Sequence, residues 1–263
     1  MEVSDTDSLD ITKPGCGICF IAYTYLSQRG DPFFRVSSRS NLQTGGDSTV
    51  YIIDPFLRSG VYRELASWYR YPEKSSLKEM KTNQAEITSE FEALASHGNL
   101  ALTSRIRDLF EALEDLLLEE VQSEYVRLFD YRPSCPMFES SYIAKGKRNP
   151  GEVKLSVEES YNEFGLETSS NFKEPPDHIM LELEFMHFLC FREGESLNKD
   201  SGNKHRYIEG QRRFCENHIL TWVPDFCDRV EKNANELFFG ILAALTKDFL
   251  IHDVDYMNAL CRN

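Results

Sequence analysis

No stretch of this sequence stays apolar for the roughly 20 residues that a helix needs to cross a bilayer. Nor does it contain G-x-x-x-x-G-K-[ST], G-x-G-x-x-G or G-x-S-x-G. Those absences leave out the usual phosphate-cradling loop, the dinucleotide fingerprint and the hydrolase nucleophile elbow. Basic residues are scarce: 29 Lys and Arg stand against 43 Asp and Glu, for a formal charge of −14. That field opposes nucleic acid and anionic membranes and would attract a basic partner. The first ten residues carry Glu2, Asp5, Asp7 and Asp10 before Lys13 appears. This is the wrong sign for a secretory signal peptide, so a cytoplasmic protein is expected. A disulfide framework is not indicated either. The seven cysteines are odd in number and mostly scattered through helical patterns, and they read as reduced thiols.

What is present is an ordinary globular composition, 41% hydrophobic and 27% charged, over 263 residues. That length supports a substantial core. Residues 1–55 stand apart from the rest. "GICFIAYTYL" and "TVYII" have strand-like composition around a Gly/Ser/Asn/Asp-rich stretch, and form a non-helical N-terminal extension. From Pro55 the apolar period becomes helical, and residues 56–263 read as one all-α domain.

Pro55 opens a helix with Leu57, Val61, Leu65 and Trp68 or Tyr69 on one stripe, and Pro72 stops it. A second helix is predicted over Gln84–Ser96. A third is expected as one helix through "LTSRIRDLFEALEDLLLEEV". In it Ile106, Leu109, Phe110, Leu113, Leu116, Leu117 and Val121 face inward, opposite an acidic face that contains Leu118. A hinge is placed near 143–175, where "GKRNPG" and "ETSSNFKEPP" bracket a short helix around Val157–Phe164. Beyond it lie the apolar helix that begins "EPPDHIMLELEFMHFLCF" and a polar insertion, "REGESLNKDSGNKH". A helix over roughly Tyr207–Thr221 and one carrying Leu237 through Phe249 follow.

The Glu174–Phe191 stretch has the most suggestive chemistry. Paired prolines stiffen the approach, Asp177 falls at the predicted helix N-terminus, and the helix dipole there keeps His178 neutral. The first turn is expected to be presented to solvent at the hinge. His178 and Glu182 share one helical face; Glu184 and His187 share another. Helical phase sends Glu182 and Glu184 apart, against a paired-carboxylate site, and no face collects the ligands a metal needs. Neither the C-x2-C of Cys16 and Cys19 nor the C-x2-H of Cys215 and His218 finds a matching second pair nearby. The residues alone assign no reaction.

Several blocks in this order resemble the TorD/DmsD/NarJ family of molybdoenzyme maturation chaperones. "YVRLF" and "CPMFESSY" look like Y-x-R-L-F and P-P-Y-E-S-x-Y, with Met137 and Phe138 in place of Pro and Tyr. "VEESYNEFGL", "EPPDHIMLELEFM", "QRRFCENHILTWVPDF" and "FFGILAALTKDFL" follow, and the blocks cover roughly residues 57–255. The resemblance implies an all-helical bundle of the TorD-like type, without catalysis and without a cofactor or metal of its own. It implies binding of the twin-arginine signal peptide of a molybdopterin oxidoreductase, and assistance with cofactor insertion. Block by block, it points to Glu174, Pro176, Asp177 and His178, with Phe138, Glu139 and Tyr142 as second candidates for the peptide site. Such a protein would be a monomer or a domain-swapped dimer. The competing readings are a small metal- or thiol-dependent enzyme using Cys16 and Cys19, and a permanent structural subunit of an oxidoreductase.

Overall fold

The structure, a computed structural model, describes residues 53–96, 100–143, 149–168, 174–198 and 204–261. The N-terminal extension, its two strand-like segments, Cys16 and Cys19 lie outside the described residues. Ten α-helices are described. The first five are α1 (Pro55–Trp68), α2 (Lys74–Thr82), α3 (Gln84–Ala95), α4 (Leu100–Glu114) and α5 (Leu118–Tyr125). The rest are α6 (Pro150–Glu163), α7 (Ile179–Asn198), α8 (Lys204–Phe214), α9 (Leu220–Asn233) and α10 (Leu237–Cys261). Wider π-type turns cover Val126–Asp130 and Cys215–Ile219, and a 3₁₀ turn covers Glu139–Ser141. Among the described residues there is no strand, only an isolated antiparallel bridge between Phe138 and His178.

α1 starts where the Asp54 side chain accepts a hydrogen bond from the Phe56 N–H at 2.9 Å, with Pro55 in its first turn. Val61, Tyr62, Leu65 and Ala66 then bury completely, and α1 packs most extensively on α7. The approach is close: a methyl group at Gly194 would sit 2.7 Å from the Phe56 ring. α7 is buried almost all round, and the polar residues Glu182, Glu184, His187 and Glu193 are buried along with its apolar ones. α10 packs between α9 and α4, and α8 lies against α7.

One polar knot crosses this core. The fully buried guanidinium of Arg58 (α1) donates to Asp253 of α10, to Glu193 of α7 and to Gln211 of α8. Tyr62 donates to Asp253 at 2.8 Å. Four helices therefore share one charge-compensated cluster, which fixes their mutual register.

Several helix boundaries differ from the sequence expectation. The predicted helix through 102–121 breaks at residues 115–117. The Glu120 carboxylate accepts from the Leu117 N–H at 3.0 Å and begins α5 anew, and Lys81 donates to the Glu114 carbonyl at 3.1 Å. Leu117, expected inside, is 61% exposed as a result. α2 was not expected; its only buried residue is Met80, and it begins with the Ser76 hydroxyl accepting from the Glu73 N–H. α7 runs on to Asn198 through what reads as a polar insertion, because Glu193 is held by Arg58 and Gln211. The helix expected over Tyr207–Thr221 extends from α8 through the π-type turn into α9, with Pro224 accommodated inside. The short helix expected around Val157–Phe164 begins at Pro150, capped by the Asn149 side chain, and ends before Gly165 at φ 75°. Within the proposed hinge, residues 144–148 and 169–173 lie outside the described residues.

Candidate functional site

The blocks at 135–142 and 174–182 pair with each other, although they are distant in sequence. The Ile179 N–H donates to the Met137 carbonyl at 3.0 Å, and the Glu139 N–H donates to the Asp177 carbonyl at 2.9 Å. The Phe138 ring meets the His178 ring edge-on at 5.1 Å. The Ser140 N–H then donates to Oδ2 of Asp177 at 3.0 Å, so Asp177 staples the 3₁₀ turn.

That role differs from the one expected. Asp177 does not cap the helix. His178 stands at that position, and its Nδ1 accepts from the Met180 N–H at 3.2 Å. An accepting Nδ1 places the proton of the neutral ring on Nε2. Burial pushes the pKa of His178 down to about 3, so the ring is neutral at physiological pH. The Asp-His turn is also not presented to solvent, since Asp177 is fully buried and His178 only 3% exposed. The reason is the 137–142 segment, which lies over the turn and satisfies its backbone.

The other expected residues divide between surface and interior. Glu174 is exposed, and Pro176, Phe138 and Tyr142 are half-buried. Glu139 is fully buried; its Oε2 pairs with His218 Nδ1 at 2.9 Å, and its Oε1 lies 3.5 Å from the Thr221 hydroxyl. Tyr142 packs on Trp222 at 5.3 Å, and the Arg229 guanidinium sits 4.7 Å from the Tyr142 ring centre.

Glu182 does not pair with His178. Its Oε2 accepts from the Trp222 indole N–H at 2.9 Å. The Glu139 carboxyl lies near enough to act on Glu182 electrostatically. Burial, followed by the neighbouring Glu139 carboxyl, raises its pKa well above the ordinary range. Glu184 does point away, to Arg70 at 2.7 Å, and His187 meets Ser59 at 2.7 Å. The carboxyl that neighbours Glu182 is therefore Glu139, not Glu184. Helical phase within α7 could not reveal that partner. The contributions of Glu182, His218 and Trp222 were missed for the same reason.

The surface around this junction is acidic and partly aromatic. Glu174 and Asp130 lie close enough to the buried Tyr125 for their charges, after burial itself, to push its phenol pKa up. Tyr71, 48% exposed, meets the Tyr125 ring edge-on at 5.4 Å. Tyr161 donates to the Pro176 carbonyl at 2.9 Å and lines a depression of about 320 Å³ together with Glu158, Asn162, Leu166, Glu167 and Thr168.

Nucleophilic chemistry finds little support among the described residues. Cys135, Cys190, Cys215 and Cys227 are buried, and burial pushes each thiol pKa up, away from a reactive thiolate. No three His, Cys, Asp or Glu side chains among the described residues are placed to share a metal ion. No helix there is long and apolar enough to cross a membrane.

The described residues thus form a helical body with an acidic, aromatic-edged junction. Comparison with known proteins narrows the class. A family model described as the nitrate reductase delta subunit matches residues 98–228. A perchlorate reductase assembly chaperone of Dechloromonas aromatica (strain RCB) is 30% identical over 118 residues, covering 45% of this chain and 51% of that protein. A chlorate reductase assembly chaperone of Ideonella dechloratans is 29% identical over 115 residues, covering 43% of this chain and 58% of that protein. This chain thus spans only about half the length of those two relatives. A chaperone protein TorD of Vibrio cholerae serotype O1 is 25% identical over 210 residues, covering 77% of this chain and 93% of that one. The chain belongs to the TorD/NarJ family of maturation chaperones.

Proposed function

We propose that this chain is a cytoplasmic chaperone for the precursor of a molybdopterin oxidoreductase catalytic subunit. It binds the precursor's twin-arginine signal peptide, holds it from premature export and assists cofactor insertion and assembly. The observation that carries this reading is the acidic surface around the Pro175-Pro176 turn. Glu174 and Asp130 are near enough to Tyr125 for their charges to act on it, Tyr71 packs on that ring, and Glu158 and Glu167 line a depression together with Leu166. Paired guanidinium groups followed by an apolar stretch are matched by carboxylates that bond them bidentately, next to aromatic and aliphatic surface.

In this reading Glu174 and Pro176 contact the peptide, and Phe138 and Tyr142 supply half-buried aromatic surface. Asp177, His178 and Glu139 build the platform from within. The test is affinity capture by the full chain from its native cytoplasm, with mass spectrometry of what is retained. Recovery of a reductase precursor with its twin-arginine leader intact is expected. Retention of only the mature, leader-free enzyme would instead favour a permanent structural subunit.

A further inference from the structure

Beside the break between α4 and α5 lies a groove of about 380 Å³ whose lining carries bases and no acid. One wall is a single face of α2. Lys74, Leu77, Lys78 and Lys81 follow at i, i+3, i+4 and i+7, so all four line the same opening. The other wall is Leu116 and Leu118, and Leu117 between them is 61% exposed. Leu77 and Leu116 pack against the core yet stay partly exposed at this floor.

Two cations of the groove lack a counter-charge. Lys81 donates to the Glu114 carbonyl at 3.1 Å. Lys74 and Lys78 are exposed and form no ion pair with a described residue. Exposed bases elsewhere are paired, as Arg107 is with Glu92 and Arg213 with Glu163. In a chain of 43 acidic and 29 basic side chains, an acid-free lining with three lysines runs against the average. An apolar floor below ammonium groups suits a segment that combines carboxylates with aliphatic side chains.

This chain contains such a segment. Residues 2–11, "EVSDTDSLDI", hold Glu2, Asp5, Asp7 and Asp10 with Val3, Leu9 and Ile11, and no base. The stretches that follow do not fit: "GICFIAYTYL" is uncharged, and beyond it come Arg29, Arg35 and Arg39. Reach is ample. Ile53, just before α1, is pinned by the Tyr256 hydroxyl, which accepts from its N–H at 3.2 Å. From there the 14 residues of α1, about 21 Å long, lead toward Pro72 and the start of α2. Residues 12–52, at up to about 3.3 Å each, cover that distance several times over.

We propose that residues 2–11 dock in the α2 groove, with their carboxylates on Lys74 and Lys78 and their aliphatic side chains over Leu77, Leu116 and Leu118. The groove shares no residue with the surface assigned above to the signal peptide. Charge selects the segment, and the leucines retain it. Exposed ion pairs are screened by salt, so the docking weakens as ionic strength rises toward about 1 M.

The test is hydrogen–deuterium exchange of the full chain, read by mass spectrometry over residues 74–82 and 115–118. Replacing Asp5, Asp7 and Asp10 together by Asn should speed exchange there about three- to tenfold at low salt, and high salt should bring the parent to the same rate. Lys74→Glu with Lys78→Glu should have the same effect. Adding Asp5→Lys and Asp7→Lys to that pair should restore protection. Carbodiimide coupling of a mixture of nitrogen-14 and nitrogen-15 chains then identifies the occupant. Links from Lys74 or Lys78 to residues 2–10 are expected within chains of one isotope. Links of mixed isotope alone would assign the groove to a second copy, and unchanged exchange in the Asn variant would assign it to an outside partner or to solvent. Either result overturns the proposal.

Discussion

Asp177 provides a sharp test of how the junction is built, because two substitutions there separate its hydrogen bond from its charge. Asp177→Ala leaves the N–H of half-buried Ser140 without its acceptor, a bond now 3.0 Å long. Loss of a hydrogen bond to a carboxylate costs about 1.5–3 kcal/mol. For a chain of this size that corresponds to a fall in Tm of roughly 3–12 °C. Asp177→Asn keeps an amide oxygen for Ser140, and its NH₂ points a donor toward carboxyls that have none to spare. It also removes one of the like charges that hold the Glu182 pKa up. Its effect on stability should stay within about 1 kcal/mol. Thermal denaturation by circular dichroism gives both numbers, and titration with the leader peptide gives the functional split. Binding should weaken in both variants, while the melting temperature falls only in Asp177→Ala. If Asp177→Asn melts as low as Asp177→Ala, or Asp177→Ala melts like the parent, the stapling role is wrong.

Further consequences can be checked separately. Arg58→Ala strips the cation from buried Asp253 and Glu193, and should destabilise by about 3–5 kcal/mol in chemical denaturation. An unchanged midpoint would show that the knot does not hold the helices. His178→Asn retains an acceptor for the α7 N-terminus and abolishes titration. Because the folded pKa of His178 is depressed to about 3, the parent loses stability as pH falls below the unfolded value, by about 2 kcal/mol at pH 5. The variant should be less acid-labile by that amount, and equal acid sensitivity would refute it. Burial raises the carboxyl pKa of Glu90 to about 7, so its contribution is present at low pH and lost as pH rises through 7. Glu90→Gln should stabilise by roughly 1–2 kcal/mol at pH 8, after allowance for solvent screening, and by nothing at pH 4. A stabilisation independent of pH would point elsewhere.

The all-α character was legible wherever a stripe of large apolar residues repeats at helical spacing. α1 and α3 were therefore located within a residue or two at their starts. α2 was not, because Leu77 and Met80 are all the apolar content its nine residues offer the core. The break between α4 and α5 has no Gly or Pro to announce it and depends on a side-chain cap from Glu120. At the site, the Pro-Pro pattern suggested a helix start one or two residues early and so gave Asp177 the cap that His178 holds. Periodicity can show which residues of α7 share a face. It cannot show that Glu182 meets Glu139 and Trp222, since those contacts arise from tertiary packing across three segments. The family blocks supplied the candidate site residues, and only the fold showed which of them face outward.

The central claim is recognition of paired arginines. Equilibrium binding of the captured precursor's leader, compared with the same peptide carrying two lysines in their place, addresses it directly. A Kd of about 1 µM or tighter for the arginine peptide, weakened roughly tenfold or more by the lysine exchange, is the expected result. Equal affinity for the two peptides, or no measurable binding of either, would contradict it.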